Sequence, residues 1–402
     1  MASASILCPA VTAQPSTVVI DDPLEMEALR PAWTSLLERS SCNEITLTPD
    51  WLSTWWRVFG PRQGRQLRLV LLFEADRLIG LAPLLRRRHW YRPGIPFRRL
   101  EFLASGERHG EGICSNYLNV IAESGAENEV SRRLVQAIVA GELGAWDEVV
   151  LPMMAGDGPM PALMEAAFTN QGIPAEIAKS GGAPYIPLPS TWDAYLKALS
   201  RSHRRLLVRS LRAFDEWSNG DSSLERVTLS SEVDKGKKIL TDLHHARWEA
   251  DGESGVFRSP PFLQFHDTIM PTLLNRGALE LLWLSVHGKP VAALYSMVWN
   301  DKVYAYQMGR QPDTPANIRL GAVIIAHAIR LAIESGRREF DMLADVTQFK
   351  QQLTLATRPL VQVRAVHPCW REKIRLGVEE SFRCFRYLRQ NARALIKGVN
   401  KD

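Results

Sequence analysis

The residue types with most chemistry in them gather between Tyr304 and Lys350, in YAYQMGRQPDTPANIRLGAVIIAHAIRLAIESGRREFDMLADVTQFK. The run reads as strand, loop, helix, strand and loop. Its first loop ends Asn317-Ile318-Arg319-Leu320-Gly321, and helical spacing of apolar residues begins directly afterwards. The first amides of a helix have no carbonyl to bond, so an Arg and a Gly at a helix start offer a diphosphate both N–H donors and positive charge. Met308, Gly309 and Arg310 at the strand end, with Ile318, Arg319, Leu320, Gly321 and Ala322 at the helix start, are the expected cofactor contacts. Lys350 and Asp345 follow the strand that carries Asp341. An ammonium placed there can meet the negative charge that grows on a thioester carbonyl under attack. Asp345 is its expected polar neighbour, whereas Asp341 reads as structural.

A second set lies in LHHARWEADGESGVF, Leu243 to Phe257. Adjacent histidines on a helix point in different directions, so one of His244 and His245 at most can face a site. His245 is the candidate proton acceptor, since an imidazole titrates near neutrality. No third ligand stands at metal spacing, which argues against a metal centre. A basic helix face, Arg201, Arg204, Arg205, Arg209 and Arg212, could hold a phosphorylated acceptor, with Arg205 as its representative contact. No GxSxG or Walker loop occurs, so direct transfer is expected rather than a covalent enzyme intermediate.

The elements that must position these groups occur twice. LTPDWLSTWWRVFG, LRLVLLF and LIGLAPLL in the first half match SPPFLQFHDTIMP, LELLWLSV and PVAALYSMV in the second. Pro49 falls on Pro261, Leu69 on Leu281 and Arg77 on Lys289, an offset of 261 − 49 = 212. A later block, VQAIVAGELGAWDEVVL against IRLAIESGRREFDML, sets Asp147 on Asp341 at an offset of 341 − 147 = 194. The difference, 212 − 194 = 18, is extra chain in the first copy around Arg86 to Cys114. Each copy reads helix, β-hairpin, further strand (YLNVIA; KVYAYQMG), helix, strand, which predicts an α/β fold with helices on a mixed sheet. The Gly/Pro-rich SGGAPYIPLPST reads as a linker and puts the boundary near Gly182. The organisation expected is a leader over residues 1–17, a first copy over 18–182, a second over 183–368 and a basic amphipathic helix over 369–402.

The chain has 402 residues and a net charge of +5. Residues 371–402 hold nine Lys/Arg against four Asp/Glu, so the whole excess belongs to the tail and general nucleic-acid binding is disfavoured. No apolar run approaches the ~20 residues of a membrane-spanning helix. The N-terminus lacks a basic, apolar signal peptide and the five cysteines form no CxxC pair, which predicts a cytoplasmic protein with reduced thiols. Ile374, Val378, Phe382, Phe385 and Leu388 give the tail an apolar stripe. It is expected to dock on the body, with contact to a membrane as the rival.

The segment GRQPDTPANIRLG, its helix and FDMLADVTQFK resemble the double-GNAT acyltransferases of the CelD-like, cellulose-biosynthesis group, related to the FemABX peptidyltransferases. Phe340-Asp341 and Phe349-Lys350 match in spacing, while Leu320-Gly321 replaces Pro-Gly, Asp345 stands in place of Gly and Phe349 in place of Tyr. The resemblance implies two tandem GNAT-like domains, the second binding acetyl-CoA or another acyl-CoA as co-substrate with no metal. It also implies acyl transfer to an amine or hydroxyl of a cell-envelope or exopolysaccharide precursor. Lys350 is by resemblance the catalytic lysine, and Arg247, Trp248 and Phe349 line the acceptor side. The rivals are a FemABX-like use of aminoacyl-tRNA and a catalytically silent subunit of a polysaccharide-synthesis complex.

Overall fold

A computed structural model describes residues 15–91 and 94–378. The first half runs β1 (Ser16–Ile20), α1 (Pro23–Ala28), α2 (Arg30–Glu38), α3 (Pro49–Phe59), β2 (Gln66–Glu74), β3 (Arg77–Tyr91), β4 (Ile95–Phe102), β5 (Ile121–Ala122), α4 (Glu127–Val139), β6 (Glu148–Ala155), α5 (Met160–Asn170) and β7 (Ala175–Pro187). The second runs α6 (Trp192–Ala198), α7 (Arg201–Ser218), β8 (Ser222–Arg226), α8 (Val233–Ala250), α9 (Pro260–Asn275), β9 (Leu279–Val286), β10 (Lys289–Trp299), β11 (Lys302–Arg310), α10 (Leu320–Glu334), β12 (Glu339–Asp341), α11 (Gln348–Gln351) and β13 (Ala356–Val366). Residues 370–378 are helical.

The repeated elements are those with strong local signals. Thr48 caps α3 by accepting from the Trp51 amide, Pro49 occupies the first turn, and Trp51, Leu52, Trp55, Val58 and Phe59 are buried at helical spacing. Ser259 caps α9 in the same way. The two helices pack together, with Trp51 edge-on to Phe265 at 4.8 Å. Hairpins β2–β3 and β9–β10 turn where the sequence places them.

All described strands join one sheet in the order β1-β2-β3-β4-β6-β13-β7-β12-β11-β10-β9-β8, with β5 beside β3. Two pairs are parallel, β4 with β6 and β11 with β12, and each is only three residues long. Beyond Tyr304, β11 runs on without β12, so the two splay and open a wedge. The last strand of each half crosses over. β7 pairs with β12 of the second half, and β13 pairs with β6 of the first. One apolar core accordingly contains Trp33, Trp51 and Trp55 together with Phe265, Ile269 and Leu281, while a second packs α7 and α10 on the other face of the second half.

Several expectations change. SGGAPYIPLPST is not a linker: residues up to Pro187 are strand, and Gly182 lies inside β7. A Cβ on Gly182 would sit 2.9 Å from Thr357 Cγ2 and 3.0 Å from Val346 Cγ2, so this glycine reflects crowding in the sheet, not freedom. A cut there would split β7 and its pairing with β13. YLNVIA is strand only at Ile121–Ala122, and the counterpart of β11 is β4, inside the supposed insertion. Register pairs Arg99 with Glu148 and Lys302 with Glu339, so the acid shared by the two copies is Glu148/Glu339 and not Asp147/Asp341. The basic helix face falls on α7 alone, which is separated from α6 by a break at Leu199-Ser200.

Most of the leader expected over residues 1–17 lies outside the described residues, but Ser16 and Thr17 already belong to β1. Of the tail, residues 379–402 lie outside them. Its described start is held by ions: Arg371 reaches Asp147 and Glu372 pairs with Arg364, while Ile374 and Leu376 remain exposed.

Candidate active site

The wedge between β11 and β12 opens into a cleft of about 970 Å³. That is the upper end of the ~300–1,000 Å³ range of small-molecule sites. Its floor is β11, where Met308 and Arg310 face the cleft, as strand alternation requires. Gly309 faces the other way, and a Cβ there would lie 2.5 Å from the His244 amide nitrogen, so it is a packing position against α8 and not a cofactor contact.

Ile318, Arg319, Leu320, Gly321 and Ala322 line one end, so α10 points its N-terminus into the cleft. The Arg319 amide is taken by Ser210 Oγ of α7 at 2.9 Å, and those of Ala322 and Val323 both reach the Arg319 carbonyl. Leu320 and Gly321 have no carbonyl one turn back, and their amides remain for a ligand. A Cβ on Gly321 would meet Met308 Cε at 3.0 Å and Phe349 Cζ at 3.5 Å, so only glycine leaves this mouth unobstructed.

Three guanidiniums, Arg247, Arg310 and Arg319, line the same cleft, and none forms an ion pair among the described residues. Arg247 stacks on Trp248 and Arg319 lies over Phe349, contacts that hold a guanidinium without neutralising it. Burial above all, and then the neighbouring Arg310 charge, lower the Arg247 pKa.

Across the cleft, Met342, Leu343, Ala344, Asp345, Thr347, Phe349 and Lys350 form a wall. The Lys350 ammonium donates to the Ala344 carbonyl and to Leu343 O at 3.3 Å. Two of its three protons hold the turn and one remains for the cleft. Burial lowers its pKa, against the opposing pull of Asp345 and Asp341. Asp345 adopts φ 76°, the region that glycine favours, so the backbone of a glycine turn persists under a different side chain. Asp341 supports the wall from beneath: its carboxylate accepts from Tyr117 Oη at 2.5 Å and from the Leu343 amide at 2.6 Å.

Besides Gly309, two sequence candidates fall away from the cleft. His245 is not among its lining residues, because Arg247 and Trp248 occupy the cleft-facing side of α8 there. Its neighbour His244 is buried and accepts from Trp248 Nε1 at 2.8 Å, and burial depresses it to about 4, so it is neutral and structural. Arg205 is exposed on α7 and does not line the cleft either. Among the described residues no cluster of side chains could hold a metal ion.

The opposite wall comes from the first half, from the loop between β4 and β5, and holds groups the sequence reading missed. Glu107 accepts from Trp55 Nε1 at 2.7 Å, and burial raises its carboxyl pKa although Trp55 and Arg65 pull it down. Asn116 is 1% exposed, lines the cleft, and has no partner for either amide atom. Tyr306 ties this wall to the floor, donating to Ile113 O at 2.6 Å. The only sequence signal for this wall was the excess length of the first copy.

Residues 201–351 match the family described as Acetyltransferase (GNAT) domain. No curated protein matches the chain. Among solved structures, FemX superposes with a TM-score of 0.57 at 11% identity, over 88% of this chain and 97% of that one. A conserved protein of unknown function from Bacteroides thetaiotaomicron gives 0.51 at 11% identity, over 87% and 100%. The C-terminal domain of a putative lysylphosphatidylglycerol synthetase from Agrobacterium fabrum gives 0.50 at 10% identity, over 90% and 97%. At these identities the likeness is one of fold, and it runs through both halves. The matched stretch, residues 201–351, supplies the open helix start and the floor of the cleft, and the fold through both halves is similar to that of FemX.

Proposed function

We propose that the chain transfers an acyl group from a coenzyme A thioester directly to an amine. The observation that carries this reading is the N-terminus of α10, opening with free amides and Arg319 into a cleft that also holds the unpaired Arg247 and Arg310. Backbone N–H groups and guanidiniums together are suited to a diphosphate. Bound acyl-CoA would supply the activated carbonyl. Gly321 keeps the mouth of the wedge clear for its narrow arm, and the remaining Lys350 proton faces the space where carbonyl charge would grow.

Glu107 is the base in this proposal. Its raised pKa brings a carboxylate nearer to the range useful for taking a proton from an ammonium acceptor. A buried amide without partners is costly, and the acceptor is the group that would satisfy Asn116. The second half thus holds the donor and the first half the acceptor. A cell-envelope or exopolysaccharide precursor remains the proposed acceptor class, on the resemblance.

The test is a thermal-shift and calorimetry series on the full chain with acetyl-CoA, longer acyl-CoAs, CoA and charged tRNA. Stabilisation by acyl-CoA that is lost in Arg319→Glu supports the reading. Stabilisation by charged tRNA alone would replace the donor, and a response to none would leave a non-catalytic subunit.

A further inference from the structure

At the other end of β6 from the cleft, the surface is basic and aromatic. Arg88, Pro96, Phe97, Arg98, Asp147 and Arg371 line a concavity of about 260 Å³. Three arginines face one carboxylate, and Asp147 is already shared by Arg98 and Arg371. Arg88 has no ion pair among the described residues and lies instead over the Trp90 ring. Arg371 lies over Trp370 in the same way. Those two rings are 58% and 63% exposed, the only tryptophans among the exposed large apolar side chains described, and Ile374 and Leu376 of the same terminal helix as Trp370 are exposed as well. Two arginine–tryptophan stacks therefore flank one cationic hollow.

We infer that this face docks on the headgroup layer of an anionic membrane. Tryptophan rings prefer the interface between headgroups and acyl chains, and arginines bind lipid phosphates, so the stacks present both chemistries at one level. The sequence beyond adds to the same charge: residues 379–402 hold six Lys/Arg against three Asp/Glu. That sign also argues against the tail as the occupant, because a basic segment is repelled by a basic hollow and attracted by the surface the hollow would bind. Asp147 at the hollow, just before β6, and Met153 at the cleft, near its end, are six residues apart, roughly 20 Å of extended chain. A docked chain keeps its cleft open to solution. The inference does not depend on the identity of the acyl donor.

The test is flotation of the full chain with phosphatidylcholine vesicles and with vesicles containing phosphatidylglycerol, across a salt series. Salt-sensitive binding to the anionic vesicles alone is expected, with a blue shift of tryptophan emission. Arg88→Glu, and the pair Trp90→Ser and Trp370→Ser, should each cut the bound fraction about tenfold or more. Arg201→Glu on exposed α7 should not, and near-UV circular dichroism should show all variants folded. Equal binding to neutral vesicles, or hairpin variants that bind like wild type, would overturn the inference. Binding of uncharged tRNA lost in Arg88→Glu, with no vesicle binding, would reassign the face to nucleic acid. Vesicle binding seen only after removal of residues 379–402 would make the tail its occupant.

Discussion

Helices α4 and α10 hold the same place in their halves, each in the connection between the two strands of the short parallel pair, yet their first turns differ in sign. In α4 the first turn carries Glu127 and Glu129, and Glu127 turns back to accept from the Gly125 amide at 2.8 Å and from Ser41 Oγ. The helix satisfies its own positive end. In α10 the first turn has no acid, Arg319 precedes it, and the amides of Leu320 and Gly321 face the cleft. Duplication can keep an element order while a carboxylate at one helix start removes its anion site. The half without such a site has a different use, since its β4–β5 loop forms the second wall of the cleft.

The strongest test of that division of labour is Glu107→Gln. As a base it should lower turnover by about 10²–10⁴ with donor affinity unchanged. Wild-type turnover would reduce the first half to a wall. Next, Lys350→Ala should cost about 10²–10³ in rate, the loss typical of one oxyanion donor. The variant should also melt earlier, because the ammonium bridges Leu343 O and Ala344 O, a folding role the sequence did not suggest. A lower melting temperature with full turnover would leave only that structural part. Arg319→Glu should weaken acyl-CoA binding about 10- to 100-fold, as charge-assisted contacts of ~1.5–3 kcal/mol imply, whereas Glu127→Gln in the first half should leave it unchanged. An effect of Glu127→Gln would break the comparison.

The smallest effect concerns acid stability and does not separate the halves, since His89 of the first half is also depressed to about 4 by burial. His244 and His266, both in the second half, are buried and depressed to about 4 and about 3. Unfolded imidazoles bind protons from about pH 6.5 downward while these rings do not, so stability falls as pH drops from there toward 4. Asp341 opposes them: burial raises it to about 6, so between about pH 6 and its ordinary value it keeps a proton that the unfolded chain has released. Melting curves of His266→Asn should flatten between pH 6.5 and 4.5, by up to ~1.4 kcal/mol per pH unit. An unchanged slope would show that the ring does titrate.

Local signals were legible and exchanged ones were not. A capped helix start, an apolar stripe or a two-residue turn is written in neighbouring residues, and α3, the two hairpins and the Arg319–Gly321 start could be read directly. The side of the cleft proposed for the donor followed from them. Glu107 and Asn116 were invisible because their loop has no periodicity, and their meaning comes from residues some two hundred positions away. Tyr117, in a stretch that reads as strand, instead takes φ 62° and bonds Asp341. Gly182 and its prolines carry the composition of a linker, and only the proximity of Thr357 and Val346 explains the glycine.

The crossing of β7 and β13 also fixes an order of events on the ribosome. When residues 16–155 have emerged, the first half can pair β1 to β6, but the strand that covers the edge of β6 is β13, Ala356–Val366, which is made some two hundred residues later. Until then β6 presents unpaired N–H and C=O groups, a template for wrong partners. The second half does not wait in this way, since β7 is already present when β12 emerges. The nascent first half therefore carries the aggregation risk, and a chain truncated before Ala356 would be expected to reach chaperones rather than a native fold.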